Sequence, residues 1–270
     1  MSEQHAASAE GHIRNGVGWL TLRNPQRKNA ITLNMAAAMS DFCLKLEEDK
    51  SVGAAVIRGE GGYFCSGADT RDLAASSENP ASEESVARLS AVYRSFVRFG
   101  ELPIPTIAFV EGGAVGAGLN LALAADLMVV TPDTELQSGF LARGIHPGGG
   151  HFSLLGKAGG WSKTVAMGIL GQPLRGQQIV DAGLAFTCVN ASEVDGLLEE
   201  LTKNAIVDPV LTRRAMNSAR LQLGPQALPW AASLEVERGV QMWSMARKGQ
   251  KGWTSNQREL RTEQSGVRGA

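Results

Sequence analysis

Cysteine is scarce and scattered in this chain. Cys43, Cys65 and Cys188 are the only three in 270 residues. They form no Cys-x-x-Cys pair and no zinc spacing, which excludes a disulfide scaffold and a thiolate metal centre and suits a reducing, cytoplasmic compartment. Charge of one sign is missing too. Lys and Arg number 26 against 27 Asp and Glu, for a net charge of −1. Without a basic excess, nucleic acid is not expected as a partner. No apolar run of about 18 residues is free of charge, so no membrane-spanning helix is expected. Met1–Gly11 lacks the apolar core of a signal peptide. There is no internal repeat, and no Gly-Lys-Ser/Thr of a phosphate-binding P-loop.

What is present is an ordinary apolar fraction of 43% and 32 glycines, gathered in a few clusters. The length suits one large domain, or one domain with a small appendage. Residues 1–10 read as a loose tail. His12–Leu22 reads as a hairpin turning at Asn15-Gly16. Thr32 is placed to cap a helix over Leu33–Asp49, whose Met35, Met39, Phe42 and Leu46 recur at helical spacing. Ala54–Arg58 reads as a buried strand and Ser82–Gly100 as an amphipathic helix. Further on, Ser138–His151 reads as a loop with a triple-glycine core. Ser153–Leu155 and Ser162–Leu170 read as helical pieces, and Gly176–Ala182 as a short helix. Ala185–Val189 reads as a strand, with Ser192 capping a helix over Glu193–Ile206. Thr212–Leu223 and Pro229–Ala246 read as helices. Strands alternate with helices in the first half and helices dominate the second, which predicts an α/β core with a helical C-terminal region. The expected layout is a core over 11–190, a helical region over 191–246 and a polar tail over 247–270.

Pro105–Val130, PTIAFVEGGAVGAGLNLALAADLMVV, concentrates the chemistry. A buried strand over Thr106–Val110 runs into a glycine turn and then an apolar helix. This order brings unpaired backbone N–H groups to the positive end of a helix, where an anion is stabilised. Gly116-Ala117-Gly118 could open a dinucleotide fingerprint, but Leu121 stands where the third glycine belongs and no acidic residue follows at the usual spacing. That leaves a remote nucleotide-binding oxidoreductase reading. The other reading is an oxyanion hole. A second glycine turn, GGYFCSGADTRDL over Gly61–Leu73, follows the Ala54–Arg58 strand. Alone it is equally an ordinary strand-to-helix connection.

Together the two turns change the reading. Asn24-Pro25 with Asn29-Ala30, Phe64-Cys65-Ser66-Gly67-Ala68-Asp69, Gly112 with Gly116-Ala117-Gly118, Leu121 and Asp126, Gly144 through Gly150, and Ala182-Gly183-Leu184 stand in a characteristic order. In these the chain resembles the crotonase (enoyl-CoA hydratase/isomerase) superfamily from about Ile13 to Trp243. The resemblance implies an α/β fold, a spiral of ββα units with a helical C-terminal trimerisation region, and homotrimers or homohexamers. It implies an acyl-CoA thioester as substrate, with no metal and no cofactor beyond the coenzyme A of that substrate. It assigns the thioester oxygen to the N–H groups of Ala68 and Ala117. It places CoA near Arg27, Lys28 and Ala30, and against Ser66, Ala68, Asp69 and Thr70. Arg27 and Lys28 suit phosphates chemically, but are equally a solvated surface pair.

The chain departs from a hydratase where the family carries two glutamates. By that pattern Asn120 and Phe140 occupy the two positions. Asparagine cannot take up a proton near neutral pH and phenylalanine offers no polar group, so ordinary hydration is not expected. His146 is the substitute acid/base candidate, since histidine as a residue type titrates near about 6.5. His151 follows the glycine run, and either imidazole could equally be a hydrogen-bonding loop residue. Asp69 and Asp126 read as structural, and Cys65 as inert packing. Two principal readings follow: a CoA-thioester enzyme, lyase or isomerase, working through an enolate-like intermediate, or a non-catalytic acyl-CoA-binding protein. In the tail, Lys248, Lys251 and Trp253 read as solvated residues or as a cap on a nucleotide or neighbouring subunit.

Overall fold

The structure is a computed structural model that describes residues 7–79 and 82–224, the side chains of 76–78 excepted. The chain divides into two compact units, Met1–Val210 and Leu211–Ala270. The Pro229–Ala246 helix, the 247–270 tail and Lys248, Lys251 and Trp253 all lie outside the described residues.

The first unit opens with the expected hairpin, β1 (Ser8–Arg14) against β2 (Val17–Arg23). Asn15 and Gly16 both take positive φ, the requirement of a tight turn whose twist matches its strands. Ser8, Ala9 and Glu10 pair with Arg23, Leu22 and Thr21, so part of the expected loose tail is strand. Then come α1 (Leu33–Glu48), capped by Thr32, and β3 (Ala54–Gly59). α2 (Thr70–Glu78) is capped by Asp69 and α3 (Glu83–Gly100) by Ser82. β4 (Thr106–Val110), β5 (Gly113–Val115), α4 (Ala117–Ala124), β6 (Leu127–Val130) and β7 (Glu135–Gln137) follow.

After a 3-10 turn at Leu141–Arg143, α5 (His151–Lys163) runs directly into a π-helical turn at Thr164–Ile169. The sequence suggested two separate pieces here because glycines interrupt the apolar pattern. Gly160 only kinks the helix, with φ 71° and ψ −177°. β8 (Leu174–Arg175), α6 (Gln177–Asp181), β9 (Thr187–Cys188) and α7 (Val194–Thr202) complete the unit. β9 is shorter than the expected 185–189 strand. Ser192 does not cap α7: it lies inside a 3-10 turn, Ala191–Glu193, that leads into the helix and is itself capped by Asn190 in a capping box with Glu193. α8 (Pro209–Leu223) spans the boundary between the units.

Six strands form one sheet in the order β1-β2-β3-β4-β6-β9, parallel from β2 onward. Alternate residues go to opposite faces, and both faces are covered, as a parallel sheet requires. Leu20, Leu22, Ile57, Ala108 and Val130 pack with Met35, Met39, Phe96, Phe99 and Leu121 from α1, α3 and α4. Val17, Trp19, Val56, Phe109 and Val129 pack with Val194 and Leu198 of α7. A second sheet, β5-β7-β8, is too short for its residues to register as strands in the sequence pattern. Asp126 is structural, as expected: its carboxylate accepts from the N–H and hydroxyl of Thr106 at 2.9 and 2.8 Å. No helix among the described residues is long and apolar enough to cross a membrane.

Two predictions concern stability. A Cβ on Gly118 would lie 2.2 Å from the Cys65 carbonyl oxygen, whereas one on Gly196 in α7 would meet open space. Gly118→Ala should therefore lower the unfolding free energy by about 1–3 kcal/mol, and Gly196→Ala should raise it by about 0.5–1 kcal/mol; urea midpoints read both. Asp69 is the other case. The side-chain hydrogen bonds from Arg71 hold its carboxyl below the ordinary 3.8, against burial, with a further pull from Arg27. Because the folded state holds this proton less tightly, the stabilisation is complete above the unfolded pKa and is lost as pH falls through the folded one. Asp69→Asn keeps a good cap and removes the charge. It should cost about 1 kcal/mol at pH 7, a modest figure because the arginines reach into solvent, and should flatten the decline of the urea midpoint below pH 4.

Candidate functional site

The site is built where the two glycine turns touch. The first turn is stitched to β5 in parallel register. Cys65 N–H donates to Gly113 O at 3.1 Å, and Val115 N–H donates to Cys65 O at 3.0 Å. On its other side Ile31 N–H donates to Gly67 O at 2.8 Å, and Asp69 N–H donates to Ile31 O at 2.9 Å. These bonds clamp the residues around Ala68 while its own N–H has no acceptor among the described residues. Gly67 takes φ +105°, a conformation that favours glycine.

The second turn leaves β5 through Gly116, at φ 57° and ψ −117°, directly into α4. Ala117 is the first helical residue, and its N–H likewise has no acceptor among the described residues. Gly118 has to be glycine because α4 lies on the Cys65 carbonyl. The glycine that suggested a dinucleotide fingerprint is therefore there for packing one turn on the other.

Ala68 and Ala117 line one cavity of about 270 Å³, whose walls are largely apolar: Leu73, Leu89, Val92, Val115, Phe140 and Ile145 contribute. A larger open hollow beside Arg175, Asn190 and Glu193 contains neither of the two N–H groups. Ser66, Thr70, Asn120 and His146 also line the cavity. Arg27, Lys28 and Ala30 do not line it, and Ala30 is buried. The Arg27 guanidinium sits 3.3 Å from the Asp69 carboxylate and donates to Thr70 Oγ1 at 3.2 Å. Lys28 Nζ stands over the Tyr63 ring, 4.9 Å from its centroid. Ser66 Oγ donates to Arg27 O at 2.9 Å, tying this basic corner to the cavity mouth. Asp69 is buried beneath the corner, as α2 cap and ion-pair partner.

No aspartate or glutamate is among the described residues that line the cavity. Asn120 is fully buried and fixed on two sides. Its Nδ2–H donates to Gly148 O at 2.9 Å, and its Oδ1 is 2.7 Å from His151 Nδ1. His151 Nε2 is 2.8 Å from Ser138 Oγ. Burial pushes the His151 imidazole from 6.5 down to about 4. Phe140 faces this ring edge-on at 4.9 Å between centroids. His146 differs in every respect. It is exposed, its Nδ1–H donates to Pro147 O at 2.7 Å, and its ring meets Phe152 edge-on. Cys65 is buried, and its thiol is pushed up to about 12, so it is inert at neutral pH.

Sequence reasoning missed three polar cavity residues. Ser138 was inside a loop with no motif around it. Tyr93 is one apolar-face position of α3, and its hydroxyl lies where a Cβ on Gly148 would come within 2.4 Å. Arg143 follows Phe140 in the 3-10 turn and donates to Gly139 O at 3.2 Å. Only the helical periodicity of α3 carried a signal, and that signal reads as core.

A family model described as Enoyl-CoA hydratase/isomerase matches residues 12–255. A Mycobacterium tuberculosis protein named "Probable enoyl-CoA hydratase EchA14" is 34% identical over 228 residues, covering 78% of this chain and 88% of that protein. The 1,2-epoxyphenylacetyl-CoA isomerase of Escherichia coli K12 is 28% identical over 213 residues, covering 77% and 81%. In fold, the chain is similar to a Thermobifida fusca YX protein crystallised with acetoacetyl-CoA, at TM-score 0.75 and 24% identity, covering 89% of this chain and 96% of that one. With two clamped glycine turns on a parallel sheet and a match along most of its length, the chain belongs to the enoyl-CoA hydratase/isomerase family.

Proposed function

We propose that the protein is an acyl-CoA thioester-processing enzyme in which the N–H groups of Ala68 and Ala117 hold the thioester oxygen. The observation that carries this is the pair of N–H groups without acceptors among the described residues, on clamped turns, in one largely apolar cavity. Donors fixed before the substrate arrives need no reorganisation, and in an apolar cavity they act on developing charge more strongly than in water. Ala117 adds the positive end of α4. Membership of the family, and the CoA esters in the names of a relative and a fold neighbour, support a CoA thioester as ligand.

Arg27 and Lys28, beside Ser66 and Thr70 at the mouth, are the phosphate-binding corner in this reading. Ala30 supports it from below, and Asp69 holds Arg27 in place. Phe140 is an acyl-chain contact. Asn120 carries no transferable proton, and its two hydrogen bonds make it a fixed polar wall. His146 is the group that exchanges a proton with the acyl carbons, because its Nδ1–H is engaged by a carbonyl and its Nε2 is the ring atom left for solvent or substrate. The reaction class is enolate-type isomerisation or lyase chemistry rather than hydration between two glutamates. A homotrimer or homohexamer in the cytoplasm is the assembly and location proposed.

Replacing the Ala117 peptide by an ester, with lactate incorporated in place of alanine, deletes one donor and keeps the shape. Turnover of 2- and 3-enoyl-CoAs, followed by mass spectrometry, should fall about 100- to 1,000-fold, and His146→Ala should lower it about 100-fold. Binding of enoyl-CoA without turnover in the wild type would make the protein a non-catalytic binder. Hydration at rates unaffected by either change would overturn the assignment of both groups.

A further inference from the structure

We propose that Ser138, His151 and Asn120 form a nucleophile–base–positioning array that hydrolyses acyl-CoA thioesters through an acyl-Ser138 intermediate. This activity rests on the reading of the cavity as a CoA-thioester site, and adds a second use of its two backbone donors.

The direction of each hydrogen bond is fixed by chemistry. Asn120 Nδ2 faces a carbonyl, Gly148 O, at 2.9 Å, so the amide orientation is set. Its Oδ1 can only accept, so His151 Nδ1, at 2.7 Å, carries the proton. Nε2 is then bare, and the Ser138 hydroxyl at 2.8 Å donates to it. The opposite amide orientation would place an NH₂ against Nδ1 and give the imidazole the wrong tautomer for a base. The Gly148 carbonyl prevents that. The ring is also held by Phe140 on its edge and by Phe152, with centroids 4.9 and 5.9 Å away.

Position favours the same use. Val115 pairs with Gln137, and Gly116 N–H donates to Gln137 O at 3.1 Å. Ser138 and Ala117 each follow one residue of that bonded pair, so the hydroxyl and one oxyanion donor stand just past the ends of the adjacent strands β7 and β5. Both residues line the cavity. His151 is desolvated and neutral at physiological pH, which leaves its Nε2 lone pair available.

In the first step Ser138 Oγ attacks the thioester carbon as its proton passes to His151 Nε2. The carbonyl oxygen takes the charge between the Ala68 and Ala117 N–H groups. Collapse breaks the C–S bond, and the departing thiolate takes the proton from Nε2 to give free CoA. Water then adds to the acyl-serine, losing its proton to Nε2, and the carboxylic acid leaves as Ser138 regains a proton. One thioester and one water give one acid and one thiol, with no redox change.

The test uses the full-length wild-type protein and butyryl-CoA. Free CoA should be released, and acid quenching should trap a butyryl mass increment on the peptide that contains Ser138. A fluorophosphonate probe should label Ser138 without any substitution. Ser138→Ala should lower CoA release about 100-fold or more, while binding of the non-hydrolysable butyl-CoA thioether by calorimetry changes less than about twofold. Asn120→Ala, acting through the imidazole, should slow labelling of Ser138 with thioether binding retained. Thioether binding with no CoA release and no label on Ser138 overturns the hydrolase activity and leaves the CoA-site reading standing. Failure of the thioether to bind overturns the CoA-site reading itself, and this inference with it.

Discussion

The parallel stitching of Cys65 onto β5 is the constraint on which the rest depends. Two backbone bonds, Cys65 N–H to Gly113 O and Val115 N–H to Cys65 O, lock the first glycine turn against the second. Gly118 lets α4 settle on the Cys65 carbonyl, and Ile31 grips the first turn from the far side. Between these fixed points the N–H groups of Ala68 and Ala117 have no acceptors among the described residues, beside one cavity. A buried N–H without a partner is a standing cost in a folded protein, and here the covered sheet and three packed helices supply the stability that tolerates it.

Beside those donors the cavity carries polar groups but no carboxylate among the described residues. Asn120 and Phe140 put an amide and an aromatic ring on its wall. The amide is satisfied by Gly148 and His151, and the imidazole by Ser138. A buried carboxylate would need compensation by a cation or several donors; this neutral chain needs neither. Arg143 lines the cavity, and two further basic groups lie outside it. Arg27 and Lys28 sit at the corner next to the mouth, and Arg27, although exposed, is paired with Asp69. The result is an apolar interior with fixed dipoles and a cationic margin, a distribution that fits a ligand with a neutral reacting end and an anionic far end.

Much of this was legible in the sequence, for physical reasons that differ by element. Asn15-Gly16 determined its hairpin because few other pairs accept two positive φ angles. Thr32 was readable as a cap because its side chain acts on the backbone three residues away. The Ala68 and Ala117 turns were readable as a pair, though neither was decisive alone. Gly160 misled, since a kink and a break look alike in composition. The β5-β7-β8 sheet was invisible because two or three residues are too few for a period. The Ser138–His151–Asn120 chain joins three segments separated by 13 and 31 residues, and no local pattern records that meeting. Asn120 drew attention only as a missing glutamate; what it holds in place became visible in three dimensions.

The account stands on the claim that two backbone N–H groups polarise a bound thioester carbonyl. The direct measurement is the infrared difference spectrum of the protein saturated with an acyl-CoA carrying ¹³C at the thioester carbonyl, against the same ester in buffer. The account predicts that the isotope-edited carbonyl band moves to lower wavenumber in the complex, and that part of the shift is lost when the Ala117 peptide is an ester. A bound ester whose carbonyl band stays at or above its position in water would contradict it.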